Sequence, residues 1–182
     1  MDPRLLNVKA RKRAMQSYVF MLYEFVLELR PKFMLEIGTQ KGQSTKAILL
    51  AMKENNYGTL VTVDIGNRTN ILDGEYDDLK PYCHFLTGDS TDPKIVNEVR
   101  AIGGEYDMAM IDGGHKLPVC QLDIDNYFPM VKSCGIILMH DTSNKNEDVA
   151  GVWDKITDEK FNLNWGRAAN GVIPGMGIIR KS

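Results

Sequence analysis

The sequence predicts an α/β protein in which helices cover both faces of a doubly wound, mainly parallel sheet. Three observations carry that prediction. Short apolar runs alternate with amphipathic segments along all 182 residues, the short apolar run 33–37 ends in a glycine turn that passes directly into a helical pattern, and no repeat or low-complexity tract interrupts the alternation. Strand–helix alternation of this kind buries a mainly parallel sheet under helices. Right-handed crossovers bring the carboxyl ends of the strands to one edge, where open α/β sheets bind their ligands.

Each element has its own local cause. Residues 18–29 form an apolar run that carries Glu24 and Glu28, too short to span a bilayer, so it is an amphipathic helix packed on the domain or on a second subunit. It ends by Arg30-Pro31, because the residue before proline resists the helical region. Residues 33–37 are a buried strand, and Ala47, Ile48, Leu49, Leu50 and Met52 recur as the inner face of a helix over 44–55. Tyr57-Gly58 breaks that helix, and 60–64 is the second strand. Residues 68–80 are polar and acidic, a loop with a short helix. Phe85-Leu86 is a short third strand opening into Gly88-Asp89-Ser90, followed by a helix over 93–101. Strand four covers 106–112, a helix 118–132, strand five 134–141 and a last helix 149–160, with Val152, Trp153 and Ile156 on one face. The tail holds two strands, 161–164 and 176–180, joined by a glycine-rich loop.

With 43% hydrophobic residues, the chain suits a single domain over 1–182, of which 1–30 is a helical extension. A net charge of −2 and a pI near 5.9 argue against an overall electrostatic commitment to nucleic acid. Arg4, Lys9, Arg11, Lys12 and Arg13 make the N-terminus basic and form a solvated face. Cys83, Cys120 and Cys134 contain no Cys-x-x-Cys pair and leave an odd count, as in a reduced, cytoplasmic setting. No small-residue cleavage site follows a charged start, so neither secretion nor a membrane is predicted.

The glycine turn defines a ligand floor. Gly38 and Gly42 permit backbone angles and close approach that a Cβ would obstruct, Thr39 lies between them, and Ser44 or Thr45 caps the helix, leaving amides to meet an anion or a carboxylate. A dinucleotide fingerprint needs a third glycine that is missing, so an NAD-dependent oxidoreductase is the weaker reading. Glu36, inside the strand, repels a pyrophosphate but suits a positively charged ligand or the loop's own N–H groups. One strand over, Asp64 either accepts ribose hydroxyls or caps its own loop. Asp89 with Ser90 either meets the amine and ring edge of adenine or makes an ordinary turn. These residues and Asp112 compose the nucleoside site.

Strand four ends in Ile111-Asp112-Gly113-Gly114-His115: a carboxylate at the tip, two permissive residues, then an imidazole that folds back over the pocket. Histidine titrates near neutrality, which suits His115 to take a hydroxyl proton as that oxygen attacks a methyl group, with Asp112 beside it. Strand five ends in His140-Asp141-Thr142. Asp112, His140 and Asp141 either converge on a divalent ion or satisfy loop backbone. Oxygen ligands suit magnesium, whereas a histidine in the set tilts toward manganese, iron or zinc.

Glu36-Ile37-Gly38-Thr39-x-x-Gly42-x-Ser44, Asp64, Gly88-Asp89-Ser90, Asp112-Gly113-Gly114-His115, His140-Asp141 and Gly175-Met176-Gly177 together resemble the methyltransferase 24 type of class I S-adenosylmethionine-dependent methyltransferase. Small O-methyltransferases of the catechol and caffeoyl-CoA type, antibiotic sugar O-methyltransferases and cephalosporin-tailoring proteins are similar. The resemblance covers the chain from Met34 onward and implies a Rossmann-like seven-stranded sheet whose last strand is antiparallel. It also implies S-adenosylmethionine lying across Glu36, Gly38, Ser44, Asp64 and Asp89, with His115 as base. In such relatives a strand-four Asp and two acidic residues after strand five bind magnesium; Asp112 and Asp141 match, and His140 departs from that pattern. The expected activity is O-methylation of a small hydroxylated substrate, with or without a divalent metal (Mg or Mn). The competing reading is a non-catalytic nucleoside-binding module whose apolar N-terminal helix mediates a homodimer.

Overall fold

In the computed structural model, residues 1–9, 14–164 and 171–182 are described, and β1 (Phe33–Ile37) lies between β2 (Thr59–Asp64) and β4 (Tyr106–Ile111). The other strands are β3 (Cys83–Thr87), β5 (Val131–His140), β6 (Glu159–Leu163) and β7 (Met176–Arg180), and the seven run in the order β3-β2-β1-β4-β5-β7-β6. The first five pair parallel; β7 runs antiparallel to both β5 and β6. Ile37 pairs with Val63 on one side and Ile111 on the other, so the tips of three strands end level.

The two-residue period of a strand sorts the core into two layers. Met34, Leu60, Met108, Met110 and Leu138 face one layer, under α1 (Arg4–Lys9), α2 (Val19–Leu29) and α3 (Gln43–Asn55). Leu35, Ile37, Val61, Ala109, Ile111 and Ile137 face the other, under α4 (Pro93–Gly103), α5 (Val119–Tyr127) and α6 (Val149–Lys155). Both faces being covered is why these strands read as unbroken apolar runs. The apolar N-terminal helix packs on its own chain: Val19, Leu22, Tyr23 and Val26 of α2 are buried against α3 and the sheet.

Several sequence expectations are corrected. The helix over 118–132 stops at Tyr127, because Pro129 has no N–H to continue the ladder, and a 3-10 turn at Phe128–Met130 leads into β5 three residues early. The helix over 149–160 ends at Lys155; Ile156 is extended, and the chain enters β6, held by its pairing with β7. The third strand gains Cys83 and His84 through pairing with Leu60 and Val61. Residues 68–80 hold two 3-10 turns, Thr69–Leu72 and the start of Asp77–Tyr82. Arg4 is no solvated charge: it pairs with Asp2 at 2.7 Å and Asp78 at 2.7 Å. Arg11, Lys12, Arg13 and most of the glycine-rich loop before β7 lie outside the described residues. Among the described residues no helix is long and apolar enough to cross a membrane.

Candidate functional site

The sheet edge is held open by a backbone crossing. Gly38 leaves β1 at φ +97°, its N–H donating to the Val63 carbonyl at 2.9 Å, while the Asp112 N–H donates to the Ile37 carbonyl at 2.8 Å. A Cβ on Gly38 would lie 2.0 Å from the Asp112 carbonyl oxygen, so the two strand tips cross only because residue 38 has no side chain. A cavity of about 330 Å³ opens there, lined by Gly38, Asp64, Asp89, Ser90 and Asp112 among others. Thr39 and Ser44 line a small adjoining recess with Gly38 and Asp112. Of the residues expected at a nucleoside site, only Glu36 and Gly42 line neither space.

Glu36 is wholly buried behind the turn. Its Oε2 accepts from the hydroxyls of Thr45 at 2.7 Å and Thr62 at 2.5 Å, and Thr62 in turn meets Thr39 at 2.6 Å. Burial pushes the carboxyl up, against the pull of the Ser44, Thr62 and Thr45 hydroxyls. The expected helix cap is thereby overturned: α3 starts at Gln43, so its N-cap is Gly42, which has no side chain to bond, and Thr45, inside the first turn, spends its hydroxyl on Glu36. Thr62→Val keeps the shape but strips this network, and a loss of about 1–3 kcal/mol is expected in urea unfolding.

Asp64 is bound by its own loop. Oδ2 accepts from the Gln40 N–H at 2.7 Å; Oδ1 accepts from Gly66 N–H at 2.8 Å and Arg68 Nε at 2.9 Å. Burial alone would raise this carboxyl, but those donors outweigh it and hold it below the usual carboxylate range. Oδ2 keeps a lone pair for a hydroxyl. Asp89 accepts from the N–H and the hydroxyl of Thr91, each at 2.8 Å, and Ser90 Oγ donates to Asp123 Oδ1 at 2.6 Å. Arg68 and Asp123 carry no sequence signal: one is a charge in a polar loop, the other an acid in an amphipathic helix.

The four residues at the tips of β4 and β5 do meet. His140 Nδ1 lies 3.2 Å from Asp112 Oδ1 and 2.9 Å from Asp141 Oδ2. His115 bridges the same carboxylates, with Nε2 3.3 Å from Asp112 Oδ1 and Nδ1 3.5 Å from Asp141 Oδ2. Burial opposes a charge on His140, yet Asp112 and Asp141 outweigh it and hold the imidazole up at about 10. Asp112 moves the opposite way: burial raises it, the two histidines outweigh that, and it falls to about 2. His115 is raised by its bond to Asp112. Asp141 sits at φ +60°, unfavourable for a side-chain-bearing residue, and is braced by Asn144 Nδ2 donating to its Oδ1 at 3.2 Å. Among the described residues, Asp112, His115 and Asp141 each offer one ligand atom within 4.8 Å of the others. His140 lies beneath this trio as a donor to both carboxylates, its ring edge-on to Tyr18 at 5.8 Å.

The profile of the methyltransferase 24 family, described as a methyltransferase domain, matches residues 35–142, which span β1 to the Asp141-Thr142 turn. The chain belongs to this class I S-adenosylmethionine-dependent methyltransferase family. No curated protein sequence matches the methyltransferase. Solved structures share its fold. An O-methyltransferase family protein from Burkholderia thailandensis superposes with a TM-score of 0.70 at 16% identity over 97% of this chain, which spans only 58% of that protein. An O-methyltransferase from Bacillus cereus, in complex with S-adenosylhomocysteine, gives 0.70 at 14% identity over 98% of this chain and 89% of its own. TomG from Streptomyces achromogenes, an O-methyltransferase of tomaymycin synthesis in complex with S-adenosylmethionine, gives 0.70 at 13% identity over 100% and 91%.

Proposed function

We propose that the protein transfers the methyl group of S-adenosylmethionine to a hydroxyl of a small molecule, and that residues 1–182 form the one domain that does so in the cytoplasm. The observation that carries this reading is the His115 imidazole set between Asp112 and Asp141, at the rim of a nucleoside-sized cavity that Asp112 itself lines. The cofactor fits the donor set: Asp64 keeps an acceptor for a ribose hydroxyl, the bare Gly38 backbone lines the cavity, and Asp112 offers a carboxylate to a cationic sulfonium.

In the reaction the sulfur–methyl bond breaks as the oxygen–methyl bond forms in line, and the hydroxyl proton passes to a His115 nitrogen. The bond to Asp112 and the charges of Asp112 and Asp141 raise the His115 imidazole above its ordinary range; a cation entering the cavity offsets those charges and shifts the ring back toward the neutral form a base requires. Asp112, His115 and Asp141 also fit a divalent cation; with one bound, His115 would be its nitrogen ligand in place of the base, and the cation would polarise the hydroxyl and lower its pKa so that the proton leaves to solvent. His140 then keeps both carboxylates oriented.

Calorimetric titration with S-adenosylhomocysteine and NAD tests the cofactor, and a methylation assay over hydroxylated small molecules tests the reaction. Binding of S-adenosylhomocysteine but not NAD is expected. Binding of NAD alone overturns the reading, and cofactor binding with no methylation across the panel favours a nucleoside-binding module.

A further inference from the structure

Behind the wall of the cavity lies a carboxyl group that the proposed reaction does not use. Asp123 of α5 is fully buried, and its Oδ1 accepts the proton of the Ser90 hydroxyl at 2.6 Å. Burial pushes this carboxyl up, against the pull of Ser90 and of the Gly114 backbone; Oδ2 makes no well-formed hydrogen bond among the described residues and lies where a side chain on Gly113 would stand, 2.5 Å from the position of a Cβ there. The Tyr127 hydroxyl donates to the Ser90 carbonyl at 2.7 Å, so the serine is tied to α5 through both backbone and side chain. Ser90 also lines the cavity, next to Asp89.

A serine hydroxyl has one proton and two lone pairs. With the proton directed to Asp123, Ser90 Oγ offers only lone pairs to a ligand. Asp89, a carboxylate, likewise offers only acceptors. The side chains of this stretch of rim therefore match a ligand edge that donates, and they oppose a carbonyl in the same place.

We propose that Asp123 is a positioning residue that fixes the Ser90 hydroxyl as an acceptor toward the cavity, and thereby selects a 6-aminopurine nucleoside over its 6-oxo counterpart. This rests on the cofactor reading above, in which the adenine of S-adenosylmethionine lies against Asp89 and Ser90. The amine of adenine donates to Ser90 Oγ; the 6-carbonyl of hypoxanthine would set lone pair against lone pair.

The test is calorimetric titration of wild type, Asp123→Asn and Ser90→Ala with S-adenosylhomocysteine and its 6-oxo analogue, S-inosylhomocysteine. Wild type is expected to prefer the adenosyl compound by at least about tenfold, as a site built for one hydrogen-bonding pattern rejects the inverse. In Asp123→Asn an amide N–H can donate to the serine oxygen, freeing the hydroxyl proton for the cavity, and the preference is expected to fall to within about threefold. Ser90→Ala removes the acceptor, and with it the hydroxyl that Asp123 Oδ1 meets, and is expected to lower the preference; an unchanged preference in Ser90→Ala overturns the proposal even should Asp123→Asn not fold. Ser90→Thr, which keeps the hydroxyl, restores it. A purely structural role for Asp123 weakens both compounds alike; an unchanged ratio in the variants, or no preference in wild type, overturns the proposal alone. Failure of wild type to bind S-adenosylhomocysteine overturns the cofactor reading together with it.

Discussion

His115→Ala is expected to lower turnover by about 10²–10⁴-fold, the range spanned by general-base contributions, while S-adenosylhomocysteine affinity stays within about threefold of wild type. The separation follows from position. The His115 side chain is not part of the cavity lining; it stands at the rim on the loop after β4, next to Gly114 and Asp112, which do line it. Its removal does not strip the carboxylates of a countercharge, since His140 remains 3.2 Å from Asp112 and 2.9 Å from Asp141. The backbone link of the loop also survives, because the Asp148 N–H donates to the His115 carbonyl at 3.0 Å whatever the side chain. A His115→Gln variant, which keeps a donor and an acceptor but cannot take up a proton, should be as slow as alanine. Turnover unchanged in either variant removes His115 from the chemistry. A parallel collapse of cofactor affinity would instead make it part of the binding site.

The position of the site was legible because strand ends are punctuated in the sequence. β1 has the bounds expected from its apolar run; Gly38 and Asp112 directly follow β1 and β4, Asp64 closes β2, and Asp89 stands two residues past β3, each an abrupt polar or glycine stop. Patterns that depend on partners distant in the chain were not legible. β5 starts at Val131, but Lys132, Ser133 and Cys134 are exposed and Cys134 lies at φ +63°, beside a register shift against β4, so the sequence runs the preceding helix on to 132 and starts the strand only at 134. The start of β6 is charged, with Glu159 exposed and Lys160 half-buried, and its strand pairing is with β7. The same holds in the site. Ser90 and Asp123 are 33 positions apart, and Thr62 reaches Glu36 across the sheet; neither contact leaves a spacing that a sequence can display. His115 and His140 could each be seen at a strand tip, whereas their sharing of Asp112 and Asp141 is a matter of side-chain direction.

Gly38→Ala is expected to abolish cofactor binding and to destabilise the fold by about 2–5 kcal/mol, the sum of a left-handed backbone penalty and an overpacked contact. The new Cβ would stand 2.0 Å from the Asp112 carbonyl oxygen, 2.7 Å from its carbon and 3.1 Å from the Gly113 nitrogen, all backbone atoms with no rotamer to turn aside. Relief requires β1 and β4 to part at their tips, which breaks the Asp112 N–H bond to Ile37 and displaces the Asp112 carboxylate from His115 and His140 together. Gly74 supplies the control. It has φ +73°, and among the described residues no atom lies within 4 Å of where its Cβ would stand, so Gly74→Ala bears the backbone penalty alone, about 1–2 kcal/mol. The difference between the two variants in urea unfolding therefore measures the strand crossing itself. Equal losses, with cofactor titration unaffected in Gly38→Ala, would mean that the crossing yields to a methyl group and that the cavity does not depend on it.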